Sequence, residues 1–380
     1  MKLTQTRLLA ALVLALGSPA LANTTWYVNR VNGSDSNNCI SLQTACKTIG
    51  HAIFLASSGD FIMVAAATYK EHLTITLSLN IVGVGARAPI IDGGGSHTVV
   101  TVSSAKAHVG LSKLTIRNGF STGCGGGIYN IGTLTINGST ISANHLKGDI
   151  ENFARGAGIC NGGRLTINTT SINGNTMTLG VGGGIYSFGG MVTINTSTVS
   201  QNNAFRGGGI RIEGGAVTIN NSTISGNGNY PNIGLCAGID GGAMAINNST
   251  ISRNSGPHGG AGFCGMPTIQ NSVVADNAGG NCEGLVTSLG YNLSSDGTCN
   301  LNGPGDLNNA DPQLGDLQNN GGPTKTMALL PGSPAIDAGN PRGCTDGKGH
   351  LLKTDQRGRP RPDSEDSGGC DMGAYERQSD

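Results

Sequence analysis

Gly125-Gly126-Gly127-Ile128-Tyr129, then Leu134-Thr135-Ile136-Asn137, then Ser139-Thr140-Ile141-Ser142 and Asn144 make up one phrase, and it recurs down the chain. Its first apolar anchor falls at Ile128, Ile159, Ile185, Ile210, Ile239 and Phe263. The second falls at Ile136, Ile167, Ile194, Ile219, Ile246 and Ile269, and the third at Ile141, Ile172, Val199, Ile224, Ile251 and Val274. Each unit closes on an Asn (Asn144, Asn175, Asn202, Asn227, Asn254, Asn277), at steps of 31, 27, 25, 27 and 23 residues. Self-similar units of this length mean a solenoid, in which each unit buries its apolar side only against its neighbours.

Within a unit the three segments alternate apolar and polar residues and are rich in Ile, Val and Thr, the pattern of short strands. Gly runs and Asn separate them, which is turn chemistry. No unit contains the helical stretch that a leucine-rich or βα repeat needs. The prediction is an all-β fold: a single-stranded right-handed parallel β-helix with three strands per coil. Coils stacked about 4.8 Å apart turn each Ile series into a continuous internal column. Asn137, Asn168, Asn195, Asn220 and Asn247 share one position after the second strand. That register predicts an amide ladder along the axis, as in other cross-β stacks. The Gly runs are expected to make tight corners with positive φ.

The ten cysteines test the register. Cys124 precedes Ile128 by four residues and Cys160 follows Ile159 by one; Cys236 precedes Ile239 by three and Cys264 follows Phe263 by one. The recurring offset predicts Cys124–Cys160 and Cys236–Cys264 as staples between adjacent coils. Cys39–Cys46, Cys282–Cys299 and Cys344–Cys370 are left to pair locally. Disulfides imply an oxidising compartment. Lys2 and Arg7, the apolar run Leu8 to Leu16, and Ala20-Leu21-Ala22 read as a secretory signal, so the expected product is exported: extracellular, periplasmic or cell-surface. The run is too short to span a bilayer, and membrane insertion is not expected. Lys plus Arg and Asp plus Glu balance at 23 each, and charged residues are 12% of the chain. Nucleic-acid binding would need a basic footprint, which this balance withholds.

The expected organisation is a signal peptide over residues 1–22, an N-terminal cap over 23–60, the β-helix over 61–300 and a C-terminal module over 301–380. Apolar residues at helical spacing between Cys46 and Ala56 predict a helix that shields the first coil, followed by a strand at Phe61-Ile62-Met63-Val64. Thr48-Ile49-x-x-Ala52-Ile53, Gly59-Asp60-x-Ile62-x-Val64, Thr68-Tyr69-x-Glu71-x-Leu73-x-Ile75 and Leu79-x-Ile81-x-Gly83-x-Gly85 resemble the opening segment of right-handed parallel β-helix proteins, pectinesterase-like and alginate-epimerase-like chains among them. Ala66-Ala67 stands where those chains usually carry Pro-Gly. The Gly-Gly-Gly-Ile and Ile-Ser-x-Asn repeats also resemble those of polymorphic outer-membrane adhesins. Asn320-Gly321-Gly322-Pro323-Thr324, Pro331-Gly332-Ser333-Pro334-Ala335-Ile336-Asp337-Ala338-Gly339, Asp355-Gln356-Arg357-Gly358 and Cys370-Asp371-Met372-Gly373-Ala374-Tyr375-Glu376 resemble the choice-of-anchor Q module, which closes many secreted bacterial β-helix proteins. Those resemblances imply export and this fold, and no single activity.

Enzymes of this architecture act on polysaccharides laid along a strand face. The resemblance to them implies either Ca²⁺-binding carboxylates with an Arg base or closely placed Asp and Glu, and hydrolysis of a glycosidic bond uses a pair about 5–10 Å apart. Residues 119–278 hold five carboxylates: Asp149, Glu151, Glu213, Asp240 and Asp276. The variable insertions (145–155, 176–181, 203–206, 228–235 and 255–259) all fall at one corner of the coil, often the binding side of a solenoid. If the first-strand Ile column points inward, alternation turns Tyr129, Cys160, Tyr186, Arg211, Asp240 and Cys264 outward as one column. Arg211 and Asp240 then lie on adjacent coils, either as a surface ion pair worth about 0–1 kcal/mol or as part of a site. The candidate catalytic residues are Arg211, Glu213 and Asp240; the candidate binding residues are these with Tyr186, Tyr230 and His258. A polysaccharide or cell-surface glycan is the expected partner, bound without catalysis. A polysaccharide lyase or glycoside hydrolase, and a purely structural scaffold, are the alternatives. No cofactor motif is present; Asp306, Asn308 and Asp311 could hold Ca²⁺ but lack the twelve-residue loop. Arg357, Arg359 and Arg361, interleaved with Pro360 and Pro362, read as a solvated loop.

Overall fold

The computed structural model describes residues 23–148, 154–229, 236–255, 262–364 and 369–378. The export signal at 1–22, Tyr230 and His258 lie outside the described residues. Inside them the repeat folds as its pattern dictates. The first strands (Ile128–Asn130, Ile159–Asn161, Ile185–Ser187, Ile210–Ile212) pair in parallel, so that Ile128, Ile159, Ile185, Ile210, Ile239 and Phe263 stack in one fully buried column. The second strands (Thr133–Asn137, Arg164–Asn168, Met191–Asn195, Ala216–Asn220) alternate buried and half-buried residues, with Leu or Val and then Ile inside. The third strands run Thr140–Ser142, Ser171–Asn173, Thr198–Ser200, Thr223–Ser225 and Thr250–Ser252. Each buried Ile contributes about 1.5–3 kcal/mol, and the columns merge into one core along the axis.

Turn chemistry is divided more finely than the Gly runs suggested. Only the first Gly of each triplet takes positive φ (Gly125 +75°, Gly182 +72°, Gly207 +57°). The last serves close approach: a Cβ on Gly184 would sit 2.6 Å from the Gly209 carbonyl oxygen in the next coil. The residue before each closing Asn is also left-handed, as at Ala143, Gly174, Gln201, Gly226, Arg253 and Asp276. The predicted amide ladder is present: Asn168, Asn195, Asn220 and Asn247 each donate Nδ2 to the preceding Asn Oδ1 at 2.8–2.9 Å. A second ladder, buried, runs through the closing Asn144, Asn175, Asn202, Asn227, Asn254 and Asn277 at 2.8–3.0 Å. Each coil also gains a short fourth segment at the insertion corner, among them His145–Leu146, Thr176–Met177 and Asn203–Ala204.

Both ends are closed. A helix at Ile49–Leu55, capped by the Thr48 hydroxyl, buries Ile49, Ala52 and Ile53 over the first coil. Its free N–H groups at Ile49 and Gly50 donate to the Glu71 carboxylate, which satisfies the first turn. At the other end Cys282–Cys299 and buried Leu301 finish the last coil. The register predicted Cys124–Cys160 and Cys236–Cys264, and both form; Cys39–Cys46, Cys282–Cys299 and Cys344–Cys370 pair locally. The chain then turns back along the flank of the third strands. Thr198 Oγ1 donates to Lys325 O at 2.6 Å, Thr223 Oγ1 to Gln356 Oε1 at 2.6 Å, and Asn248 Nδ2 to Thr345 O at 2.5 Å. This docking corrects the reading of Arg357 and Arg361 as a solvated loop. Arg361 and Glu376 pair at 2.7 Å with both side chains 0% exposed, and Arg357 bonds Asp355 at 2.7 Å while lying 3.6 Å over the Tyr375 ring. Packing against the coil flank removes their water; Arg359 alone of the three stays exposed.

Candidate functional site

Every first strand places one side chain outward between two inward ones, and parallel register puts those side chains on top of one another. Tyr129, Cys160, Tyr186, Arg211, Asp240 and Cys264 therefore form the predicted column, each paired with the next. The column is covered, however. The corner segments that precede the Gly runs fold over it, linked by bridges from Cys124 to Arg155 and from Val181 to Arg206. Cys160, Val181 and Tyr186 pack there with Cys124 and Tyr129.

Burial changes the character of the Arg211–Asp240 pair, which is not a surface ion pair. Arg211 Nη1 lies 2.6 Å from Asp240 Oδ1, with the two side chains 17% and 2% exposed. A second cation, absent from the sequence-derived set, completes it: Arg206 Nε donates to Asp240 Oδ2 at 2.9 Å and Nη2 to Oδ1 at 3.4 Å. Arg206 was legible in outline, since it stands immediately before Gly207 as Arg155 stands before Gly156. Two guanidinium groups thus hold both oxygens of one buried carboxylate, which satisfies its charge and its lone pairs.

Glu213 lies beyond this triad. Its Oε1 is 3.7 Å from Arg211 Nε, an atom that is buried without a hydrogen-bond partner. Its Oε2 accepts from the Tyr186 hydroxyl at 2.5 Å. Burial, and after it the bond to Glu213, pushes the Tyr186 phenol up to about 12. The Tyr186 ring stacks on Phe188 with centroids 6.0 Å apart, and the Arg155 guanidinium sits 5.9 Å from its centre. These rings, with Tyr129, Arg155 and Cys124, line an open cavity of about 290 Å³. Four of the candidates, Tyr186, Arg211, Glu213 and Asp240, are thereby brought together. Asp306, Asn308 and Asp311 each bond the chain itself: Asp306 accepts from Ser288, Gly303 and Asn292, Asn308 bonds the Leu301 backbone, and Asp311 caps the Gln313 N–H.

No family model matches the chain, and no curated protein does. Among solved structures, the crystal structure of pectate lyase Pel9A superposes with a TM-score of 0.54 and 14% identity over 93% of this chain and 96% of that one. At that identity the likeness concerns the fold. With the parallel register of its coils, it defines the class: a right-handed parallel β-helix protein. Five disulfides fit an oxidising compartment, and among the described residues no helix is long and apolar enough to cross a membrane.

Proposed function

We propose that the protein is an exported, non-catalytic β-helix that binds a polysaccharide or cell-surface glycan at the insertion corner. The sugar rings lie against Phe188, which stacks on the buried Tyr186, and polar groups engage Glu213, Arg211 and Arg155. The observation that carries this reading is the commitment of the carboxylates. Asp240 is buried with both oxygens held by Arg206 and Arg211, and Glu213 is engaged by the Tyr186 hydroxyl. A general acid or base must reach and exchange a proton with the reacting oxygen, and Asp240 presents no free face for it. An open aromatic cavity beside fixed polar groups is instead the arrangement of a binding site. The motif residues between Asn320 and Glu376 support the further proposal that the docked C-terminal segment is a choice-of-anchor Q module.

The test is one assay on purified protein with pectic, alginate and neutral polysaccharides, with and without Ca²⁺, scoring both retention and new sugar ends. Retention without cleavage, weakened about tenfold (about 1.4 kcal/mol) by Glu213→Gln or Arg155→Ala, is the expected outcome. New ends that vanish in Glu213→Gln would replace this reading with a lyase or hydrolase. Neither retention nor cleavage would leave a scaffold.

A further inference from the structure

The outward face of the second strands carries a second concave site, away from the corner. A cleft of about 500 Å³ opens where the N-terminal coils meet the regular repeat, and its polar lining comes from Asn23, Asn80, His108, Thr133, Thr135 and Asn137. None of the side chains that line it carries a carboxylate, an ammonium or a guanidinium group; removal of residues 1–22 on export would add one α-amino group, at Asn23. Its size falls within the range of ligand pockets, roughly 300–1,000 Å³.

Three features show how the cleft is built. Along this column, Asn80 pairs with Gly110 in the next coil. A Cβ at Gly110 would come 2.2 Å from Asn80 Oδ1, so the missing side chain is what lets the amide lie across the floor. The outer, half-buried amide ladder also ends here. Asn137 Oδ1 accepts from Asn168 Nδ2 at 2.8 Å, the last of four bonds running in one direction from Asn247. Beyond it Asn137 Nδ2 meets only Ser112 Oγ, at 3.4 Å. Successive bonds of one polarity strengthen each other, so the terminal N–H group is a polarised donor facing the cleft. Finally, Phe61, 37% exposed and outside the lining itself, stands in register beside Asn80 on the preceding coil and places an apolar ring next to one lining amide.

We propose that this cleft binds an uncharged saccharide unit. Convergent amides and hydroxyls, each able to donate and accept, match vicinal sugar hydroxyls, a ring beside them matches the apolar face of a pyranose, and a lining without carboxylate, ammonium or guanidinium side chains disfavours ions. The site is separate from the corner and does not depend on it. Neutral gluco-, manno-, xylo- and galacto-oligosaccharides, titrated into the full chain and followed by saturation-transfer NMR and calorimetry, are the probes. At least one binds, with an affinity insensitive to added salt, not displaced by polygalacturonate, and weakened tenfold or more by Asn80→Ala. If Asn80→Ala lowers the melting temperature, Thr135→Arg, at a half-exposed strand position, blocks the same cleft and carries the test. Failure of every neutral probe to bind overturns the proposal. So does binding that falls steeply with salt, or that survives both substitutions in folded protein.

Discussion

At the residue scale, Asp240 shows how one carboxylate can organise a corner without being reactive. It is 2% exposed and neutralises two arginines, both from the preceding coil. Removing one member of a buried ion cluster leaves uncompensated charge, at a cost of about 3–5 kcal/mol. Asp240→Asn is therefore expected to lower stability by that order in urea unfolding, because Arg206 and Arg211 lose their shared counter-ion. Glu213, whose side chain is 42% exposed, has water to replace its partners. Glu213→Gln should cost under about 1 kcal/mol, and a reversal of that order would show that the cluster does not hold the corner. Tyr186, Arg211 and Asp240 could be placed on one column from alternation alone. Their burial could not, because the covering segments arrive from variable insertions that carry no repeat.

At the scale of elements, the two Asn ladders make the same bond in different surroundings. Asn202 is buried: its Nδ2 reaches Asn227 Oδ1 and Ile172 O, and its Oδ1 takes both the N–H and the Nδ2 of Asn175. Truncation strands several buried groups, each costing about 1–3 kcal/mol. Asn195 is half-buried, and water substitutes for its lost bonds, so a net loss of about 0.5–1.5 kcal/mol is expected. Thermal unfolding of Asn202→Ala and Asn195→Ala should separate the two clearly; equal effects would mean that the inner ladder is not the stiffer rod. The outer ladder was legible from spacing, since its Asn alternates with an inward Ile. The inner one was visible only as a recurrent turn residue, because its inward direction depends on the left-handed residue before it, such as Ala143 or Gln201.

At the scale of the molecule, the C-terminal segment lies across several coils and ties them laterally. Gln356 alone joins Thr198, Thr223, Thr324 and Lys325. Behind it Glu376 is buried against Arg361, and burial outweighs the guanidinium, raising its carboxyl to about 8 from 4.5. A raised acid binds its proton more tightly in the folded state than in the unfolded one, so between those values folding takes up a proton. The stabilisation from this group is complete below the unfolded value and is lost as pH rises toward 8. Stability measured from pH 5 to pH 9 should fall up to about pH 8 and level off above it, and Glu376→Gln should flatten the fall. A profile unchanged by that substitution would assign the slope to another group.

The sequence by itself determined the coil. Inward apolar residues alternating with polar ones in the short strands, a Gly triplet ahead of the first strand and an Asn at each repeat's close leave one way to bury the apolar columns, and cysteine offsets one coil apart follow from it. The export signal, Tyr230 and His258 lie outside what the structure describes. Tertiary structure alone decided what covers the coil. The arrival of Arg206 on Asp240, the docking of residues 312–364 and 369–378 along the third strands, and the burial of Arg357 and Arg361 all join segments without a shared period. Periodicity specifies which residues stack on their equivalents in the next coil; it carries no information about a non-repeating segment that packs on the outside, where burial and ion pairing are settled by the surface it meets.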